Sequence, residues 1–102
     1  MPMKGMRAEN RVAASLRRTG ASVEKSPGSR TSADMTAKWS SGKEWLVQVK
    51  YSGKGVPSSL KSHERKALIV RAKRNNATPV VAKVTPEKIQ YESARDGRQL
   101  KP

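Results

Sequence analysis

The sequence predicts an α/β fold in which a mixed central sheet is flanked by helices. Three observations lead there. Residues 4–19 carry apolar side chains at helical spacing and run into Gly20. Residues 44–51 alternate with a period of two in a run rich in Trp and Val. A second helical stretch, 59–75, then separates that run from another strand-like one, 78–84. A strand, a hairpin, a helix and a further strand in that order make an α/β sandwich with a mixed sheet.

In the first helix Met6, Val12, Ala13 and Leu16 fall near one face, and Arg7, Arg11, Arg17 and Arg18 lie mostly off it. Gly20 is a C-terminal stop. Glu9 sits three residues from both Met6 and Val12, at the edge of the apolar face. A carboxylate there is either a boundary residue paired with Arg or a functional acid turned toward a cleft. Residues 21–25 make a short strand that enters Ser26-Pro27-Gly28-Ser29-Arg30-Thr31-Ser32. Pro and Gly make this segment a loop. Its amides and hydroxyls, Ser29 among them, can hold a phosphate, and Arg30 can grip one through two parallel hydrogen bonds.

Asp34 is one of two Asp residues in the chain. Asp is disfavoured in strands, yet it heads the run Met35-Thr36-Ala37-Lys38-Trp39. Ser40-Ser41-Gly42-Lys43 has the composition of a hairpin turn. The strand Glu44–Tyr51 follows, in which Trp45, Val47 and Val49 alternate with Leu46, Gln48 and Lys50. Side chains two apart share a face, so Gln48 and Lys50 emerge together. The hairpin folds Asp34 back against them. Glu44 lies four residues from Gln48, about 13 Å along a strand, and reads as structural, a partner for Lys43 or Lys38.

Tyr51-Ser52-Gly53-Lys54-Gly55-Val56-Pro57 is a basic loop. The second helix is capped by Ser58 or Ser59 and ended by Asn75-Asn76. Leu60, Ala67, Leu68 and residues 70–72 are expected to be buried. Lys61, Arg65, Lys66, Arg71, Lys73 and Arg74 give it a positive field. His63, the one histidine, is read as incidental. The run 78–84 is almost continuously apolar, as an interior strand of a covered sheet should be. Ile89 to Tyr91 is expected to add an edge strand, and disorder is expected beyond Gly97.

The pattern Asp34…Gln48-x-Lys50 resembles the PD-(D/E)xK nuclease superfamily. Within it the chain is most similar to archaeal-type Holliday junction resolvases, over residues 4–84. The likeness includes the helical Glu9, the Gly28-Ser29-Arg30 loop before the Asp, and the helix and strand after the Lys. Ala33 stands where the name-giving motif has Pro. Gln48 stands where most resolvases have an acid and resembles the Q-x-K variant of Mrr-like restriction nucleases. An amide oxygen can ligate a hard cation but adds no negative charge. The resemblance implies a restriction-endonuclease-like fold, one nuclease domain over 1–102, and pairing into a homodimer. It also implies a site in which Asp34, Gln48, the Val49 carbonyl and Glu9 hold Mg²⁺ or Mn²⁺, with Lys50 beside the reacting phosphate. Arg11, Ser29, Arg30, Lys54, Lys61 and Arg65 are the candidate DNA contacts.

Composition bounds the partner. The 102 residues carry 22 Lys and Arg against 8 acids, a net charge of +14. That excess calls for a polyanion. No stretch approaches the ~20 apolar residues of a membrane span, and the N-terminus has no apolar run of signal-peptide length. An intracellular protein acting on nucleic acid is expected, with no membrane role. Cysteine is absent and mean hydropathy is −0.79. Disulfides and thiolate metal sites are thereby excluded, and any metal ligands are oxygens. Three other readings remain: a different nuclease of the same superfamily (Mrr-like, flap or end), a basic nucleic-acid-binding protein without catalysis, and an RNA-packaging or ribosomal protein. Only the nuclease readings explain the placement of Asp, Gln and Lys around one hairpin.

Overall fold

The computed structural model describes residues 3–26 and 33–102, with side chains from Arg7 onward. Its elements run α1 (Met3–Arg18), β1 (Ser22–Lys25), β2 (Met35–Lys38), β3 (Glu44–Tyr51), α2 (Ser62–Arg74), β4 (Thr78–Val84), β5 (Ile89–Ser93) and β6 (Gln99–Leu100). The strands form one sheet in chain order. β3 and β4 are parallel and the other neighbours antiparallel. Parallel neighbours need a crossover, and α2 supplies it.

Ala8, Val12, Ala13 and Leu16 recur at helical spacing and are all buried. They press α1 onto the sheet face made by Met35, Ala37, Trp45, Val47, Val80, Ala82, Val84 and Tyr91. The helix stops where Gly20 takes φ 98°. There the Gly20 and Ala21 amides return to the Arg17 and Leu16 carbonyls at 3.0 and 3.3 Å, a Schellman closure. With no Phe in the chain, aromatic surface comes from a stack in which Trp45 lies 5.2 Å from Trp39 and 5.5 Å from Tyr91. Lys43 completes it 4.4 Å above the Trp39 ring. That contact, rather than Glu44, is the partner Lys43 finds.

The opposite sheet face carries Leu46 and Val81 and packs under α2, through Leu60, Leu68, Ala72, Ala77 and Ala94. α2 begins at Ser62, three residues later than the sequence suggests, and Leu60 is buried just outside it. Only part of the expected buried set is inside. Leu68 and Ala72 share one face, whereas Val70 is 51% exposed. Successive residues are rotated by about 100° around a helix, so 70 and 72 cannot both face the sheet. α2 ends on Asn76 at φ 52°, with the Ala77 amide returning to the Ala72 carbonyl at 2.8 Å.

The C-terminal stretch also departs from expectation. β5 is not an edge strand: it lies between β4 and β6. Beyond Gly97 the chain is ordered and pairs as β6. Gly97 adopts φ 77°, Asp96 accepts the Arg98 amide at 3.0 Å, and Leu100 packs against the α1-side core. A polar hairpin is held here by turn chemistry and one apolar anchor.

Candidate active site

The β2–β3 ladder runs from Lys38 opposite Glu44 to Met35 opposite Val47 and stops. One residue on, the Asp34 amide donates to the Val47 carbonyl at 2.8 Å. Its carboxylate then takes over from the backbone: Oδ2 accepts the Val49 amide at 2.7 Å. The strands part at this point. β3 continues to Tyr51 beside β4, and the notch is the place where it runs past the end of its pairing with β2. A buried amide without a partner costs ~1–3 kcal/mol, so the side chain at 34 also satisfies the split strand.

Leu46 packs under α2. By strand alternation Gln48 and Lys50 emerge on that same side, and both are half-buried. The Lys50 ammonium lies 3.3 and 3.4 Å from the two carboxylate oxygens of Glu64, on the first turn of α2. Glu64 Oε1 also accepts the Lys61 amide at 3.0 Å and so caps the helix. Glu9 approaches from α1, half-buried. Among the described residues it forms no ion pair with an arginine; the charges it feels are Asp34 and Lys25.

The fold has a counterpart among solved structures. No family profile matches the chain, and no curated protein matches it by sequence. The solved structure of Archaeoglobus fulgidus Hjc, a Holliday junction resolvase from an archaeal hyperthermophile, superposes with a TM-score of 0.80. It does so at 20% identity, over 90% of this chain and 74% of that one. The chain has the restriction-endonuclease-like fold.

In this restriction-endonuclease-like frame the electrostatics of the notch take shape. Burial raises the Asp34 pKa above its ordinary value, opposed by the Val49 amide and the Lys50 ammonium, while Glu64 pushes it further up. Glu9 is raised too, first by burial and then by the Asp34 charge, with Lys25 opposing. Glu64 is lowered, chiefly by the Lys61 amide and then by Lys50. Glu9 and Asp34 are thus acids that disfavour each other's charge, a strain that a cation would relieve.

The donor chemistry fits a hard divalent cation: carboxylates and an amide, with no thiolate. Asp34 Oδ1 is free of hydrogen bonds among the described residues. Yet no group of three or more His, Cys, Asp or Glu among those residues is placed to hold a metal ion. The acids at the notch itself are Asp34 and Glu9.

The structure treats the remaining sequence candidates unequally. Asp34, Val49 and Lys50 come together, and Gln48 precedes Val49 on β3, half-buried. Ser29 and Arg30 lie outside the described residues. Lys54 and Lys61 are exposed. Arg11 and Arg65 are half-buried and donate to the carbonyls of Thr85 and Ala94, each at 2.6 Å. Both arginines brace the fold through those bonds. Glu64 was not singled out from the sequence. The available signal was an isolated acid in the first turn of a basic helix, three residues after Lys61.

Proposed function

We propose that this chain is a metal-dependent, structure-specific DNA endonuclease, most specifically one that resolves four-way junctions as a homodimer. The observation that carries the reading is the Asp34 carboxylate locked to the Val49 amide at 2.7 Å, beside Lys50, where β2 leaves β3. The fold it shares with a Holliday junction resolvase and a net charge of +14 support it. Asp34, the Gln48 amide oxygen and the Val49 carbonyl are the groups to hold Mg²⁺ or Mn²⁺, with Glu9 as a further acid. Such an ion, when bound, polarises a phosphodiester and lowers the pKa of an attacking water.

The chain's own residues do the rest. Asp34 is held in place by its bond to Val49. Glu9 can take a proton, since burial and the Asp34 charge raise its pKa. Lys50 places positive charge where negative charge grows on phosphorus. The exposed Lys54 and Lys61 contact DNA phosphates. No helix among the described residues is long and apolar enough to cross a membrane.

A labelled synthetic junction, incubated with and without Mg²⁺ beside flap, single-stranded and linear duplex DNA, tests the reading. Symmetric paired nicks in the junction alone, dependent on Mg²⁺, are expected. Lys50→Ala is expected to stop cutting and retain junction binding. Metal-dependent cutting of flaps or ends in preference to junctions would move the enzyme to another nuclease class. Binding without cutting would favour a basic nucleic-acid-binding protein, a reading the uncharged Gln48 permits.

A further inference from the structure

Gln48 leaves the notch one charge short. Glu9, Asp34 and Lys50 together sum to a single negative charge, against the two positive charges of the ion the site is read to hold. A carboxylate at position 48 would close that gap, and this chain has an amide there. A further acid stands beside Lys50, on α2. Glu64 meets the Lys50 ammonium with both oxygens, at 3.3 and 3.4 Å. The contact is partly sheltered, the two side chains being 23% and 30% exposed. The field of Glu64 reaches Asp34 as well.

Its position is fixed independently of Lys50. Glu64 Oε1 accepts the Lys61 amide at 3.0 Å, at the start of a helix docked by the buried Leu68 and Ala72. The acid therefore stands at a rigid point on α2. Of the ion pairs among the described residues, one other brings a lysine to an acid, Lys83 with Glu92 between β4 and β5. Among the described residues the Lys50–Glu64 pair is the ion pair that joins the notch to α2.

We propose that Glu64 supplies the negative charge that Gln48 lacks: it holds Lys50 and restores the balance of the metal-binding notch from α2. Glu64 is thus a positioning residue acting through Lys50. The inference rests on the nuclease reading and extends it, by making α2 part of the site. It also explains how Gln is tolerated on β3.

Glu64→Gln is the variant of choice, because a glutamine at this position still accepts the Lys61 amide and keeps the cap. Mn²⁺ is titrated calorimetrically into the full chain as wild type, Glu64→Gln, and the double variant Gln48→Glu/Glu64→Gln. Removing one charge near a divalent ion is expected to weaken Mn²⁺ binding about tenfold. Moving that charge to position 48 is expected to restore affinity to within about threefold, since the site's sum is the same. Thermal midpoints of wild type and Glu64→Gln should agree within about 4 °C. Junction cleavage should follow the same order.

A Glu64→Gln protein that binds Mn²⁺ within about twofold of wild type would overturn the inference alone. So would a double variant as weak as Glu64→Gln, which would reduce Glu64 to a helix cap. A wild-type chain that binds no Mn²⁺ sinks the metal-dependent reading first, and the inference with it.

Discussion

Replacing Asp34 by Asn and by Ala separates what its carboxylate does for the strand from what it does for chemistry. Asp34 Oδ2 accepts the Val49 amide at 2.7 Å, a charge-assisted bond. Such bonds contribute roughly 1.5–3 kcal/mol, and neutral ones roughly 1 kcal/mol. Asn can still present an oxygen to Val49, so it loses about 1 kcal/mol from the bond itself. The raised pKa of Asp34 works the other way. Burial and the Glu64 charge make the ionised carboxylate unfavourable in the fold, and Asn removes that cost. The net change is expected to stay within about 1 kcal/mol, less than ~8 °C in thermal midpoint. Ala leaves the Val49 amide with no acceptor, a loss of about 1–3 kcal/mol, or roughly 5–20 °C. Both variants lose the carboxylate proposed to hold the metal, and cleavage should fall by ~10³ or more. Calorimetric melting and single-turnover junction cleavage measure the two effects side by side. Asp34→Asn and Asp34→Ala proteins that melt together would refute the strand role. An Asp34→Asn protein that cuts within about tenfold of wild type would refute the catalytic one.

Other consequences follow from the same contacts. Glu9 has a raised pKa in the fold, so it binds more protons folded than unfolded, and its contribution to stability declines as pH rises above 4.5. Without metal, Glu9→Gln should therefore melt level with wild type near pH 3 and above it at pH 7; a midpoint difference that does not grow with pH would contradict the reading. Leu68 is fully buried under the sheet; Leu68→Ala should cost about 2–5 kcal/mol in chemical denaturation. Lys54→Ala and Lys61→Ala should each lower the salt slope of DNA binding by about 1 at unchanged stability. Arg11→Ala and Arg65→Ala should instead show their main loss in the melt, because each donates to a carbonyl at 2.6 Å. A salt-slope change without destabilisation would place those arginines on DNA.

Much of this was legible in the chain as written. β3 and β4 fall at residues 44–51 and 78–84, where alternation and continuous apolar character put them. α1 is found within a residue of its expected bounds, because Gly20 is a strong stop. α2 was harder to read. Its apolar residues are few, Val70 sits among them by sequence alone, and only the docked rotation shows that Leu68 and Ala72 are the buried pair. Of the C-terminal hairpin the strand at 89–91 was legible as β5, but β6 was missed because the stretch around it is polar, and its order comes from Gly97, Asp96 and the anchoring of Leu100.

Local pattern and charge were enough to give an α/β chain, a charge excess that points to a polyanion, and an Asp on one strand returned by a hairpin to a Gln-x-Lys on the next. Those properties depend on neighbours a few residues apart, or on sums over the whole chain. Tertiary packing alone could decide that the Asp34 side chain caps the split between β2 and β3, that Arg11 and Arg65 are tied to backbone carbonyls, and that Glu64 faces Lys50. Each of these joins residues from different elements, and their meeting depends on how far each helix is rotated against the sheet, which a one-dimensional pattern does not encode.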